Sequence, residues 1–164
     1  MHTSERLLNC LREDDTLTYL ACPYSSRDDS VMAKRERRAT QVANRFTKLG
    51  ATVFSPLTQS VRQVQVDPSL GHSYEEWKEH DRTIISRCDY LVVLTLRGWS
   101  DSEGVIDEIH CALDHNIPVL LAFWKGKGVV QLSLSKYSEQ NDPLGELGEE
   151  APGGEGAEEA EVTA

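Results

Sequence analysis

After Lys136 the chain has no lysine or arginine. All 17 basic residues lie at or before that position, so the formal charge of −10 over 164 residues is unevenly spread. Residues 1–137 hold 18 acids against 17 bases, a net of −1. Residues 138–164 hold nine acids and no base, a net of −9. The acidic total therefore says almost nothing about the partners of the body. No stretch approaches the ~20 apolar residues of a membrane-spanning helix, so a membrane partner is not expected. The start, MHTSERLLNCLREDD, is too charged for a signal peptide. Cys10, Cys22, Cys88 and Cys111 form no Cys-x-x-Cys pair, and free buried thiols in a reducing cytoplasm are the expectation. There is no Lys/Arg tract with interleaved aromatics, which argues against a nucleic-acid polymer as partner. No P-loop and no Gly-x-Gly-x-x-Gly occurs, which argues against ATPase and dinucleotide-binding readings. His72, His80, His110 and His115 lack metal-ligand spacing, so no metal site is expected.

What is present falls into three parts. Residues 1–16 read as an N-terminal extension and 17–137 as one domain. Residues 138–164 read as a disordered tail, rich in Gly and Glu and without aromatics. Within the body, LTYLAC (17–22) is a short apolar run closed by Pro23 and predicts a buried first strand. Met32, Ala39, Val42, Ala43, Phe46 and Leu49 make one helical stripe over 30–49, and Gly50 ends it. ATVFSP (51–56) is the second strand. Residues 57–73, with Pro68 and Gly71, show no periodicity and predict a long loop. Residues 74–88 are helical again, DYLVVLTL (89–96) is a strand covered on both sides, 102–115 is helical, and IPVLLAFW (117–124) is a fourth strand. VVQLSLS (129–135) fits a fifth strand or a short helix. Alternation of this kind predicts an α/β domain with a parallel sheet of four to five strands and helices on both faces. Ligands of such sheets sit beyond the carboxyl ends of the strands. The loops CPYSSRDDS, SPLTQS and LRGWSDSEG should therefore converge there.

Two carboxylates occupy unusual places. At about 100° per residue, Asp81 falls between Trp77 and Ile84/Ile85, inside the apolar stripe. Burial there would raise its pKa and suit it to general-acid work. The competing reading pairs it with Arg82, Arg87 or a backbone cap. Glu108 lies about one and a half turns into the third helix, near the edge of its stripe. The positive helix start would favour an ionised carboxylate facing the site, the alternative being a surface Glu. Ser102 with Gly104 opens that helix and resembles an anion-receiving terminus, although capping alone accounts for Ser102 equally well. Arg27 stands apart from the Lys34–Arg38 cluster because it lies in a loop at the end of a strand.

In order, the segments TYLACPYS (18–25), GATVFSP (50–56), W-x-x-x-D-x-x-I-I-S-x-C-D-Y-L-V-V-L (77–94) and G-W-S-D-S-x-G-V-x-x-E-I-x-x-A (98–112) resemble the nucleoside 2-deoxyribosyltransferase superfamily. They also resemble an uncharacterised branch sharing Tyr-x-x-x-Pro-Tyr and Gly-Trp-x-x-Ser-x-Gly. The resemblance covers roughly 17–124. It implies a flavodoxin-like (Rossmann-like) sheet and a homo-oligomer, dimer or higher. It implies cleavage or transfer at the N-glycosidic bond of a nucleoside or nucleoside 5′-monophosphate, with no cofactor. By its motifs Glu108 is the nucleophile, Asp81 the proton donor and Tyr19 the residue that orients Glu108. Ser102 and Arg27 would hold a phosphate, and Tyr24, Trp77 or Trp99 would stack on the base. The loop before Ser102 is longer than in the monophosphate hydrolases and carries Trp99 and Asp101, which bears on what the pocket accepts. A sensor that keeps the pocket and lacks turnover is the alternative.

Overall fold

The computed structural model describes residues 3–125 and 131–137. The elements run α1 (Thr3–Leu11), β1 (Leu17–Ala21), α2 (Asp29–Lys48), β2 (Thr52–Phe54), α3 (Pro56–Val66), α4 (Tyr74–Ile85), β3 (Tyr90–Leu94), α5 (Glu103–Asp114), β4 (Val119–Lys125) and β5 (Gln131–Lys136). Short 3₁₀ turns occupy Pro68–Leu70 and Trp99–Asp101. The sheet order is β2-β1-β3-β4-β5, with the first four strands parallel. This is the α/β arrangement that the alternating pattern predicted, in the Rossmann-like form that the resemblance implied. The segment left open between strand and helix is a strand, β5, and it pairs antiparallel with β4.

The two sheet faces are covered by different helices. Leu20, Cys22, Val92, Leu94, Leu120 and Ala122 pack with Ala39, Val42 and Phe46 of α2 and with Leu7 and Leu11 of α1. Tyr19, Ala21, Leu91, Val93 and Leu121 pack with Ile85 of α4 and with Val105, Ile109 and Ala112 of α5. Successive strand side chains alternate between faces, so the parity of β1 sends Tyr19 to the α4/α5 side. The segment expected as an extension therefore includes a helix built into the core. Its Ser4 hydroxyl also accepts the Leu134 N–H at 2.8 Å.

Residues 57–73, expected as a loop, are largely helical. Pro56 takes the first helical turn, where its missing N–H is not needed. Leu57 and Val64 are buried, with Val61 half-buried between them. That i, i+4, i+7 stripe was present in the sequence, but Pro68 and Gly71 masked it. Trp77 Nε1 donates to the Gly71 carbonyl at 3.1 Å, tying the α3–α4 connection to α4. No described helix is long and apolar enough to cross a membrane. The four cysteines are free thiols. The tail, 138–164, lies outside the described residues.

Candidate active site

The order β2-β1-β3 makes β1/β3 the point where the chain reverses direction across the sheet, and a cavity of about 90 Å³ lies beyond it. The three loops named above meet at this cavity: Cys22, Tyr24 and Ser25 from the first, Pro56, Leu57 and Ser60 from the second, Ser102 and Gly104 from the third. α4 contributes Tyr74, Trp77 and Asp81, and α5 contributes Val105 and Glu108. Two wall segments were not anticipated. One is the remainder of α3, with Val61 and Val64; the other is the turn into α4, with His72 and Ser73.

Both unusual carboxylates are in the wall, and each is only 7% exposed. Glu108 receives the Tyr19 hydroxyl on Oε1 at 2.7 Å. Tyr19 itself is fully buried, which raises its own pKa, as do the charges of Glu108 and Asp81. Burial lifts the Glu108 pKa to about 8; the Tyr19 hydrogen bond opposes the rise, and Asp81 and Asp107 add to it. Burial therefore opposes the ionised form that the helix start was expected to favour. The Ser102 hydroxyl caps α5 at Val105 N, and Glu108 follows in the second turn of that helix. Asp81 is raised as well, mainly by burial, with His80 and Tyr19 pulling it back. Its partner is His80, whose Nδ1 lies 3.0 Å from Asp81 Oδ1. Nothing in the sequence pattern pointed to His80 except its place next to Asp81.

The ion pairs proposed for Asp81 are used elsewhere. Arg82 forms a two-point pair with Asp107, its Nε 2.9 Å from Oδ2 and its second nitrogen on Oδ1. Arg87 donates to the Thr83 carbonyl at 2.8 Å. The Arg82–Asp107 pair joins α4 to α5 at the residues adjacent in sequence to the cavity carboxyl groups. Burial alone would raise Asp107, but Arg82 and Tyr74 beside it win and hold it low. Arg35 does the same for the loops: its guanidinium donates to the carbonyls of Tyr24 (3.3 Å), Ser25 (2.9 Å) and Arg97 (2.9 Å).

Other candidates fall differently. Tyr24 and Trp77 line the cavity, whereas Trp99 is buried in the core with Val105 and Ile109. Arg27 and Asp101 are exposed and outside the cavity wall. Gly104 lines the cavity, but a Cβ there would stand 3.2 Å from Tyr74 Cδ2, so the missing side chain makes room for that ring. Among the described residues no group of three or more His, Cys, Asp or Glu is placed to hold a metal.

Such a site can exchange protons. Two buried carboxyl groups with raised pKa values share one cavity, one of them held by a phenol and the other by an imidazole. Aromatic side chains offer a flat ligand a stacking surface. A comparison with curated proteins finds no match. A family model described as a domain of unknown function, DUF1937, matches residues 16–123, a span that runs from β1 into β4 and includes every residue of the cavity wall. The chain belongs to the DUF1937 family.

Proposed function

We propose that this protein cleaves or transfers the N-glycosidic bond of a nucleoside or nucleoside 5′-monophosphate through a covalent glycosyl-Glu108 intermediate. The observation that carries the reading is the Tyr19 hydroxyl on a buried Glu108 in a cavity that Asp81 also lines. Glu108 attacks C1′ as the C1′–N bond breaks, and Asp81 gives its proton to the departing base. Water or a second base then opens the ester. An oxocarbenium-like transition state gains from the carboxylate before the bond forms. Tyr19 holds Oε1 and leaves the other oxygen for attack. Tyr24 and Trp77 are the wall residues suited to stack on the base.

The productive form carries one proton between the two carboxyl groups, on Asp81 rather than Glu108. Because Glu108 holds its proton up to about 8, the pair carries a proton at neutral pH, and substrate binding has only to move it from one partner to the other. The high Glu108 pKa also favours a second reading, a nucleotide-derived ligand sensor in which Glu108 stays protonated and nothing is cleaved.

The test is a panel of ribo- and deoxynucleosides and their 5′-monophosphates, with free base followed by chromatography. Base release by wild type, lost in Glu108→Ala and lowered about 10²–10⁴-fold in Asp81→Asn, supports the enzyme. Binding without release, equal in wild type and Glu108→Ala, supports the sensor.

A further inference from the structure

The catalytic outline leaves one contact unused. His80 sits on the solvent side of α4 with its side chain 39% exposed, against 10% for Asp81, and its Nδ1 is 3.0 Å from Asp81 Oδ1. The imidazole meets the Trp77 ring edge-on, with centroids 5.3 Å apart at 89°. Trp77 is itself tethered to the Gly71 carbonyl. The His80 ring is thus held on two sides, and a held ring fixes the oxygen it binds.

We propose that His80 is the positioning residue of Asp81: it occupies Oδ1, leaves Oδ2 as the oxygen presented to the cavity, and strengthens Asp81 as an acid toward a leaving group. The positioning rests on geometry alone; the acid role rests on the glycosidic reading above. The groups facing Asp81 are the Tyr19 hydroxyl from β1, Glu108 from α5 and His80 on its own helix. Glu108 and Tyr19 are occupied with each other. Asp107 is committed to Arg82. His80 is the partner that reaches Asp81 from the solvent side, on Oδ1. A hydrogen bond and a positive charge from His80 both favour the carboxylate, which makes the proton easier to give away.

Two variants beside wild type separate the parts. His80→Ala removes hydrogen bond and charge. His80→Asn keeps a donor near the Nδ1 position without the charge. All three proteins carry carbon-13 in their aspartate carboxyls, so that Asp81 can be titrated by NMR in each background. The Asp81 midpoint rises in His80→Ala, with His80→Asn in between. On a nucleoside, His80→Ala lowers kcat by about tenfold or more with KM little changed, consistent with a weakened acid. On a 4-nitrophenyl deoxyriboside, whose leaving group needs no proton, the same variant keeps its rate. An Asp81 midpoint equal in wild type and His80→Ala overturns the positioning role. Equal losses on both substrates overturn the acid role. If wild type cleaves neither substrate, the glycosidic reading fails, and the carboxyl titration still decides whether His80 positions Asp81.

Discussion

Replacing Glu108 by glutamine should make the protein more stable, and increasingly so as pH rises. In the unfolded chain this carboxyl loses its proton near 4.5; in the folded chain it holds it up to about 8. Between those values the native state binds more protons than the unfolded state, so stability falls as pH rises through the window. The interval, at about 1.4 kcal/mol per pH unit, is worth about 5 kcal/mol. That is a large share of the roughly 5–15 kcal/mol a domain holds. Glutamine has the shape of the protonated acid, still accepts the Tyr19 hydroxyl through its carbonyl, and does not titrate.

The two proteins should therefore match near pH 4.5 and separate above it. Urea unfolding followed by tryptophan fluorescence at pH 5.5, 7 and 8.5 reads the gap directly. Between the outer two values it should widen by about 3 kcal/mol in favour of Glu108→Gln. Asp81 also titrates, and its burial and its contacts with His80 and Tyr19 are common to both proteins. A gap that stays constant to within about 0.5 kcal/mol would refute the reasoning, since Glu108 would then titrate alike folded and unfolded. The expected outcome has a consequence for function. No stability argument accounts for Glu108 where glutamine serves the fold better, and the remaining account is chemistry at the cavity.

The pH–rate profile of base release should be bell-shaped, with its basic limb near 8 set by the carboxyl pair. Tyr19→Phe removes the hydrogen bond that opposes the Glu108 rise, so that limb should move to higher pH; a limb unchanged in the variant would show that Tyr19 does not act on Glu108. Leu11→Ala should cost about 2–5 kcal/mol in denaturant unfolding, because Leu11 is fully buried in the α1/α2 core; a loss below about 0.5 kcal/mol would mean that α1 is an appendage. Gly104→Ala should destabilise by about 1–3 kcal/mol through the Tyr74 ring, and Gly104→Ala combined with Tyr74→Leu should recover part of it; strict additivity in that double-mutant cycle would sink the steric account.

The fold was legible in the sequence wherever one residue pattern had one solution. The apolar runs at 17–22, 89–96 and 117–124 gave buried strands, and the stripes of α2, α4 and α5 gave the covering helices. Misreadings came from punctuation and from sequence distance. Pro68 and Gly71 belong to a short connection, and their presence hid the Leu57/Val61/Val64 stripe just before them. The contribution of Leu7 and Leu11 depends on contacts across most of the chain, which local periodicity does not report. At the site, Asp81 was visible because a carboxylate breaks an apolar stripe. His80 and Arg35 were not, because an exposed histidine and an arginine in a basic cluster look like ordinary surface until their partners are known.

The arrangement of the site follows from strand parity more than from any single motif. β1 is buried on both faces, so its residues carry no polar/apolar code to say which face each one takes. Pairing Tyr19 with Leu91 and Ala21 with Val93 sends those four residues to the α4/α5 side. A slip of one residue would place Leu20 there and turn Tyr19 toward α2. Glu108 would then be a buried carboxyl without its hydrogen bond, a cost of several kcal/mol. The Tyr19–Glu108 contact is therefore a constraint on register as well as a piece of chemistry. The Arg82–Asp107 pair holds the opposite wall in register from the helix side. Sheet and helices thus hold the cavity carboxyl groups from independent directions, Tyr19 from β1 on Glu108 and the Arg82–Asp107 pair between α4 and α5.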